Sequence, residues 1–364
     1  EGREGCCEPR QHAGRWDVKF TEARARGAAG LLLIHRASDA SYGWEVVQVG
    51  WARERFQPLT PPGPVLQGWL SESAGQRLLQ AAGIRLEDMI QEAGRLDFRP
   101  RPLGLRLEGQ LHSKIRNVVE YNVGALIPGR DPALAQEVLI LSAHWDHLGK
   151  EEGTGAIHPG AVDNATGCAG LLALAQSLSQ QRPARSILVL FTAAEEHGLL
   201  GAKAYVQAPA FPLERTVAAL NLESLNVAGP TRDIGLAGCQ GSTLQDRALA
   251  VAQRMGLRPM LPRTDPQSLF FRADHFAFVQ AGIPAFSPGF SLDGGWDYLD
   301  PEAARRARRF LEEAYHRPQD RYDPNWDLRG LLQQLDFFQR LALDLANHPE
   351  RPRWHTKAPV FKTP

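Results

Sequence analysis

Glu137–His147, read as EVLILSAHWDH, is the stretch that decides the fold. Its apolar run, Val138 to Leu141, shows no polar alternation and breaks at His144 into a polar loop that lasts to Gly160. A short unbroken run of this kind is the pattern of a strand covered on both faces. Downstream, Thr166–Gln180 spaces Cys168, Leu171, Leu172, Ala175 and Leu178 close to the helical period, which predicts a helix. Ser186–Thr192 and Val217–Leu222 read as two more buried strands. Leu199–Gln207 reads as a short helix, and Gly241–Met255 and Leu328–Leu345 as longer ones. Strands alternating with helices predict a three-layer α/β/α domain around a mainly parallel, mixed sheet. Such sheets place ligands at the carboxyl ends of their strands.

Upstream, the pattern differs. Val18–Gly27 predicts a short helix, Ala28–His35 a strand, and Leu70–Ala82 a helix capped by Ser71 or Ser73. Between them lies a Pro/Gly/Trp-rich stretch with Pro58, Pro61, Pro62 and Pro64. Leu105–Val123 alternates at Leu105, Leu107, Leu111 and Ile115, which predicts strands. The expected organisation is a smaller β-rich domain over 1–116, an α/β domain over 117–350 and a tail over 351–364.

At 364 residues the chain can hold two domains, and 43% apolar residues supply a full core. Basic and acidic residues balance at 41 each, so nothing suggests a nucleic-acid partner or a solvating acidic arm. The longest apolar runs, such as Leu31–Ile34 and Ile187–Phe191, are too short for a membrane span. The opening Glu1-Gly2-Arg3-Glu4 carries no leader and reads as a processed or truncated start. Cys6, Cys7, Cys168 and Cys239 form no disulfide framework and fit either redox compartment.

Five metal-ligand-type residues stand out: His144, Asp163, Glu196, Glu223 and His316. His144 is a good neutral imidazole donor, and the carboxylate of Asp146 is placed to accept its second ring N–H. Asp163 or Asn164 could cap the following helix, and Asn164-Ala165-Thr166 matches a glycosylation sequon, which a glycan at this site would make self-defeating. Glu195 and Glu196 read either as an acidic helix start or as a pair pointing to different sides of an irregular turn, one towards a metal and one towards a reacting water. Glu223 and His316 are each unremarkable alone; a histidine before Arg317-Pro318 usually sits in a surface turn.

Taken in order, Ser142–Gly149 (SAHWDHLG), Gly160–Gly167 (GAVDNATG), Phe191–Gly198 (FTAAEEHG), Asn221–Ser224 (NLES) and Tyr315–Asp320 (YHRPQD) resemble the M28 family of zinc metallopeptidases. The resemblance implies two zinc ions: one on His144 and Glu223, one on Glu196 and His316, with Asp163 bridging. It implies Glu195 as general base beside Asp146, peptide substrates, and a secreted or periplasmic location. One departure stands out, since the family usually carries aspartate at the position of Glu223. Ser268–Gly282 resembles the segment lining the family's substrate pocket, making Phe270, Phe271 and Arg272 candidate substrate contacts and Asp274 and His275 supporting residues. The competing reading of that segment is a capped amphipathic helix with Phe276 and Phe278 in the core. Lys19–His35 resembles part of a protease-associated (PA) domain.

The leading expectation is an aminopeptidase acting through a dinuclear zinc-activated water. The alternatives are a carboxypeptidase or dipeptidase of the same family, a single-zinc acyltransferase of the glutaminyl-cyclase type, and a non-catalytic binding ectodomain.

Overall fold

The computed structural model describes residues 12, 14–40, 43–51, 54–58, 66–151, 153–236, 238, 241–261, 269–289 and 296–355. Cys6, Cys7, Cys239, Ser268 and three of the four prolines (Pro61, Pro62, Pro64) lie outside the described residues. The chain forms two compact units, one within Ala13–Val119 and one within Glu120–Lys362.

The first unit contains α1 (Trp16–Ala25), β1 (Gly30–His35), α2 (Ala37–Ala40), α3 (Trp44–Trp51), β2 (Leu66–Ser71), α4 (Glu72–Ala81) and α5 (Leu86–Ala93). β1 and β2 pair in parallel, from Gly30 opposite Leu66 to His35 opposite Ser71. Ser71 caps α4, its hydroxyl accepting the Ala74 N–H at 3.3 Å. Two expectations need correction. The described residues of this unit hold more helix than strand, so it is not β-rich. Strands expected from Leu105 also do not form: residues 94–122 lie outside helices and strands, with Leu107, Leu111 and Ile115 exposed. Alternation alone cannot make a strand, because the backbone ladder needs a partner.

The second unit runs β3 (Val123–Ile127), β4 (Val138–His144), β5 (Gly149–Lys150), β6 (Ile157–His158), α6 (Gly167–Gln181), β7 (Ser186–Thr192), α7 (Leu200–Gln207), β8 (Thr216–Asn221), β9 (Asp233–Gly235), α8 (Thr243–Arg254), β10 (Arg258–Met260), α9 (His275–Gln280), β11 (Ala285–Phe286), α10 (Pro301–Glu313) and α11 (Arg329–Asn347). Its main sheet has five strands in the order β11-β8-β4-β7-β3. Only β3 runs antiparallel to its neighbour. All seven residues of β4 are buried, as its unbroken apolar run requires.

The pleat sorts these strands into two cores. Leu139, Leu141, Ile187 and Val189 pack with Leu171, Leu174 and Leu178 of α6, Val251 of α8, and Phe337 and Leu341 of α11. Val138, Ile140, Leu188 and Leu190 pack with Tyr205 of α7 and with Phe276, Phe278 and Val279 of α9. Helices therefore cover both faces of a mixed, mainly parallel sheet, giving the three-layer α/β/α architecture. No helix among the described residues is long and apolar enough to cross a membrane.

The helical stripe of α6 differs in one member from its expected list. Leu174 is buried, whereas Leu172 is 61% exposed. Leu171→Ala should therefore destabilise by about 2–5 kcal/mol, because it leaves a cavity between α6 and the sheet. Leu172→Ala should stay within about 0.5 kcal/mol. Urea unfolding midpoints of the two variants test the assignment; equal midpoints would refute it.

Candidate metal centre

Three adjacent parallel strands deliver the first acids and the first histidine to one edge of the sheet. β4 ends on His144, which lies opposite Thr192 at the end of β7, and β8 ends at Asn221, two residues before Glu223. His144 is fully buried. Its Nε2 lies 3.0 Å from Glu223 Oε1 and 3.2 Å from Asp163 Oδ1. Its Nδ1 lies 2.9 Å from the backbone carbonyl of Asp146. The expected role of the Asp146 side chain is thus corrected: its Oδ1 stands 3.7 Å from the ring and accepts the Glu195 N–H at 3.0 Å. Asp146 fixes the imidazole through its main chain and the Glu195 turn through its carboxylate.

Asp163 sits in an irregular turn, Ala161–Thr166, in which Asp163 and Asn164 leave helical geometry and are joined by a cis peptide bond. Gly160 opens the turn at φ +65°, where a Cβ would also meet the His147 ring at 2.5 Å. Asp320 clamps the turn from across the unit, accepting the Val162 N–H at 2.8 Å and the Asp163 N–H at 3.1 Å. Asn164 takes the capping role: its Oδ1 accepts the N–H groups of Gly167 and Ser224, both at 3.1 Å, while its amide donates to the Leu222 carbonyl at 2.9 Å. It thereby ties the Asp163 turn to the Glu223 turn. Asn164 is buried, which fits its reading as a structural residue over that as a glycan acceptor.

Asp163 is left to face the histidines. Its Oδ2 lies 3.1 Å from His316 Nε2, so its two oxygens address His144 and His316 separately. Glu196 is shared in the same manner, with Oε2 at 3.4 Å from His316 Nε2 and Oε1 at 2.8 Å from His147 Nδ1. Tyr315 stacks on the His316 ring at 4.0 Å between centroids. Glu223 is held by the Asn221 amide, which donates to its Oε2 at 3.1 Å.

The electrostatics follow from four carboxylates gathered out of water. Burial pushes Glu223 up to about 7 against the pull of His144. Burial also raises Glu195 well above the ordinary range, helped by Glu223, Glu196 and Asp274. Asp163 is the exception: burial opposes its charge, but His144 and His316 hold it well below the usual value. The histidines respond in kind. Burial works against charge on His316, yet Glu196 and Asp163 lift it to about 9. His144 is likewise raised well above the imidazole norm by Glu223, Asp146 and Asp163. Mutual perturbation of this kind recurs in functional sites.

The structure brings together His144, Asp146, Asp163, Glu195, Glu196, Glu223 and His316. It does not bring Phe270 and Phe271 to an open surface; both are buried among Phe276, Phe278 and each other, so their expected substrate contact gives way to packing. Arg272 is half-buried and interacts electrostatically with Tyr315. Asp274 accepts from the Thr192 hydroxyl beneath the site, and burial lifts it to about 6. The sequence reading missed the work of Asp320 and the position of His147. Both lie inside quoted motifs, and only the folded chain shows what they face.

Two outcomes test this scaffold. Asp320→Ala strips two buried N–H groups of their acceptor and should cost about 1–3 kcal/mol for each group left unpaired; an unchanged thermal midpoint would contradict the clamp. His275 is buried and its pKa is depressed to about 3. Because the unfolded chain takes up this proton more readily, the stability His275 contributes is complete above its usual value of 6.5 and is lost as pH falls towards 3. The loss should reach about 1.4 kcal/mol per pH unit in that window, and His275→Leu should flatten it in unfolding curves taken from pH 7 to 4.

Residues 122–338 match the model of Peptidase family M28. An aminopeptidase of Pseudomonas aeruginosa is 28% identical over 316 residues, covering 83% of this chain and 50% of that protein. A probable leucine aminopeptidase 2 of Aspergillus oryzae is 29% identical over 236 residues, covering 62% of this chain and 43% of that protein. This chain thus spans about half the length of these curated relatives. Among solved structures, an aminopeptidase from Aneurinibacillus sp. strain AM-1 shares the fold at a TM-score of 0.50 and 17% identity, over 96% of this chain and 74% of that one. With more than half of the chain matched, every candidate metal ligand included, the chain belongs to Peptidase family M28.

Proposed function

We propose that the chain is a zinc-dependent exopeptidase that removes residues from the amino terminus of peptides. The carrying observation is the shared carboxylate of Asp163. Donor atoms of His144, Asp163 and Glu223 lie within 4.8 Å of one another, and so do those of His147, Asp163 and Glu196. Two donor groups with one aspartate in common fit a pair of divalent ions bridged by that aspartate. Imidazole and carboxylate donors suit zinc. The crowding of acids argues the same way, since several buried carboxylates without a compensating cation are costly. On this reading His144 and Glu223 would serve one ion, and Glu196 would serve the other with His316, whose Nε2 lies 3.1 Å from Asp163 and 3.4 Å from Glu196.

Zinc held there would supply Lewis acidity, polarising a bound carbonyl and lowering the pKa of bound water towards neutrality. The protein's own part is to hold and move the proton. Glu195 belongs to a turn anchored by Asp146, among the candidate ligands without being needed as one. It accepts the proton of the attacking water and passes it to the leaving nitrogen. Its burial, which favours the protonated carboxyl, suits the second half of that transfer. The names of the relatives favour amino-terminal polarity. The first unit is read as a protease-associated spacer and the location as secreted or periplasmic, both by family resemblance.

Glu195→Gln should lower turnover by at least about 100-fold while leaving two zinc ions bound, as measured by metal analysis of the purified variant. Retained turnover would remove Glu195 from the base role. Aminoacyl-p-nitroanilides, amino-blocked peptides and carboxyl-blocked peptides, assayed with and without chelator, test polarity. Cleavage of the first and third groups alone, abolished by chelation, is the expected pattern. Cleavage of amino-blocked peptides at their free carboxyl end would turn the assignment to a carboxypeptidase. One zinc per chain with cyclisation of amino-terminal glutamine would turn it to an acyltransferase.

A further inference from the structure

We propose that His147 is an additional protein donor to the second cation position, beside Asp163, Glu196 and His316. The inference rests on the dinuclear reading above and adds to it a ligand absent from the five expected.

The His147 side chain is only 6% exposed. Neither of its ring nitrogens has a hydrogen-bond partner among the described residues. A buried imidazole normally satisfies both nitrogens, because an unmet polar atom away from water is costly. His144 shows the ordinary solution, with Nδ1 set against a backbone carbonyl. His147 instead places Nδ1 2.8 Å from Glu196 Oε1 without the alignment of a hydrogen bond. Two metal-donor atoms this close, with no hydrogen bond from the imidazole, suit a cation shared between them.

That cation is the ion shared with Asp163. The donor atoms of His147, Asp163 and Glu196 all lie within 4.8 Å of one another. The His147 and His316 rings approach edge to face, 5.7 Å between centroids, so two imidazoles flank the same pair of carboxylates. Glu196 spans them, one oxygen towards each. The ring's seat is also built: Gly160 leaves room for it where any Cβ would collide. Asp320, the clamp of the Asp163 turn, lies close enough for its charge to interact with His147.

The two positions are then unequal. The first has one imidazole with Glu223 and the shared Asp163; the second has two imidazoles with Glu196 and the shared Asp163. The second should hold zinc more tightly and release it last to a chelator.

The test is zinc and cobalt titration of the metal-free full chain against a competing chelator dye, with no substrate present. Wild type should bind two ions, one more tightly. His147→Asn and His147→Phe should weaken the tighter event by at least about 10-fold and leave the other in place. Both should also change the visible absorption of the first cobalt bound. His147→Cys, which keeps a zinc donor, should recover affinity that His147→Phe loses, a rescue that a packing role would not produce. Two ions bound by His147→Asn with wild-type affinities and an unchanged cobalt spectrum would overturn the proposal while leaving the dinuclear reading intact. A wild-type chain that binds fewer than two ions would overturn the dinuclear reading itself.

Discussion

The carboxylate of Asp163, held between His144 and His316, is the interaction on which the site depends. Four acids crowd one sheet edge, and burial works against the charge of Glu223, Glu195 and Asp163. Glu223 and Glu195 are pushed up for that reason, whereas Asp163, with an imidazole at 3.2 and 3.1 Å on its two oxygens, is held down. A charge retained at this point, with histidines on either side, is what lets the remaining acids gather round a common centre. Its position is secured by main-chain bonds rather than by packing. Asp320 grips the N–H groups on one side of the turn, and the Asn164 amide stitches the other side to Leu222 and Ser224.

Converging side chains from separate strand ends demands unusual backbone. Ala194, Ser224 and His316 all lie at positive φ, at 53°, 44° and 58°. Each either immediately flanks a candidate site residue or is one. Left-handed geometry at a residue with a Cβ costs of order 1–3 kcal/mol and persists only where the surroundings over-determine it. Here they do, because β4, β7 and β8 are fixed by two cores packed on opposite faces. The regular sheet absorbs the cost of its irregular edge. Had Glu195 and Glu196 simply continued into α7 as a regular helix start, they would have projected along one rotating surface. The left-handed Ala194 and the short turn that follows separate them, one backbone N–H going to Asp146 and one carboxylate to the histidines.

Sequence was most legible where a single period governed. Unbroken apolar runs located β4, β7 and β8, and helical spacing located α6, α8 and α11, because burial on both faces or on one stripe leaves a regular trace. The ligand-type residues were legible through motif order, not through spacing. Leu105–Val123 misled because alternation describes a half-covered strand and says nothing of whether a neighbour exists to pair with. Phe270 and Phe271 misled for a related reason: an aromatic pair beside a site can face the ligand or the core, and only the packing of α9 against the sheet decides. His147 and Asp320 were silent since their roles are long-range. Asp320 acts on residues 157 and 158 positions away along the chain.

Glu223 shows the same constraint acting on a glutamate where the family resemblance implies aspartate. A glutamate where aspartate is usual must spend an extra methylene without leaving the centre. β8 ends at Asn221, and the chain then turns through Ser224 in left-handed geometry. Asn221 holds the far oxygen at 3.1 Å, so that the near one meets His144 at 3.0 Å. The longer arm is thus pinned at its tip rather than left to sample rotamers, and the entropy of ordering it is offset by a buried amide bond. On the proposed two-ion reading, the two positions are uneven. The one served by Glu223 relies on a single imidazole and a side chain that needs its own support. The one served by Glu196 draws on a side chain that reaches two imidazoles at once. Between them Asp163 is common property, and any displacement of its turn should be felt by both.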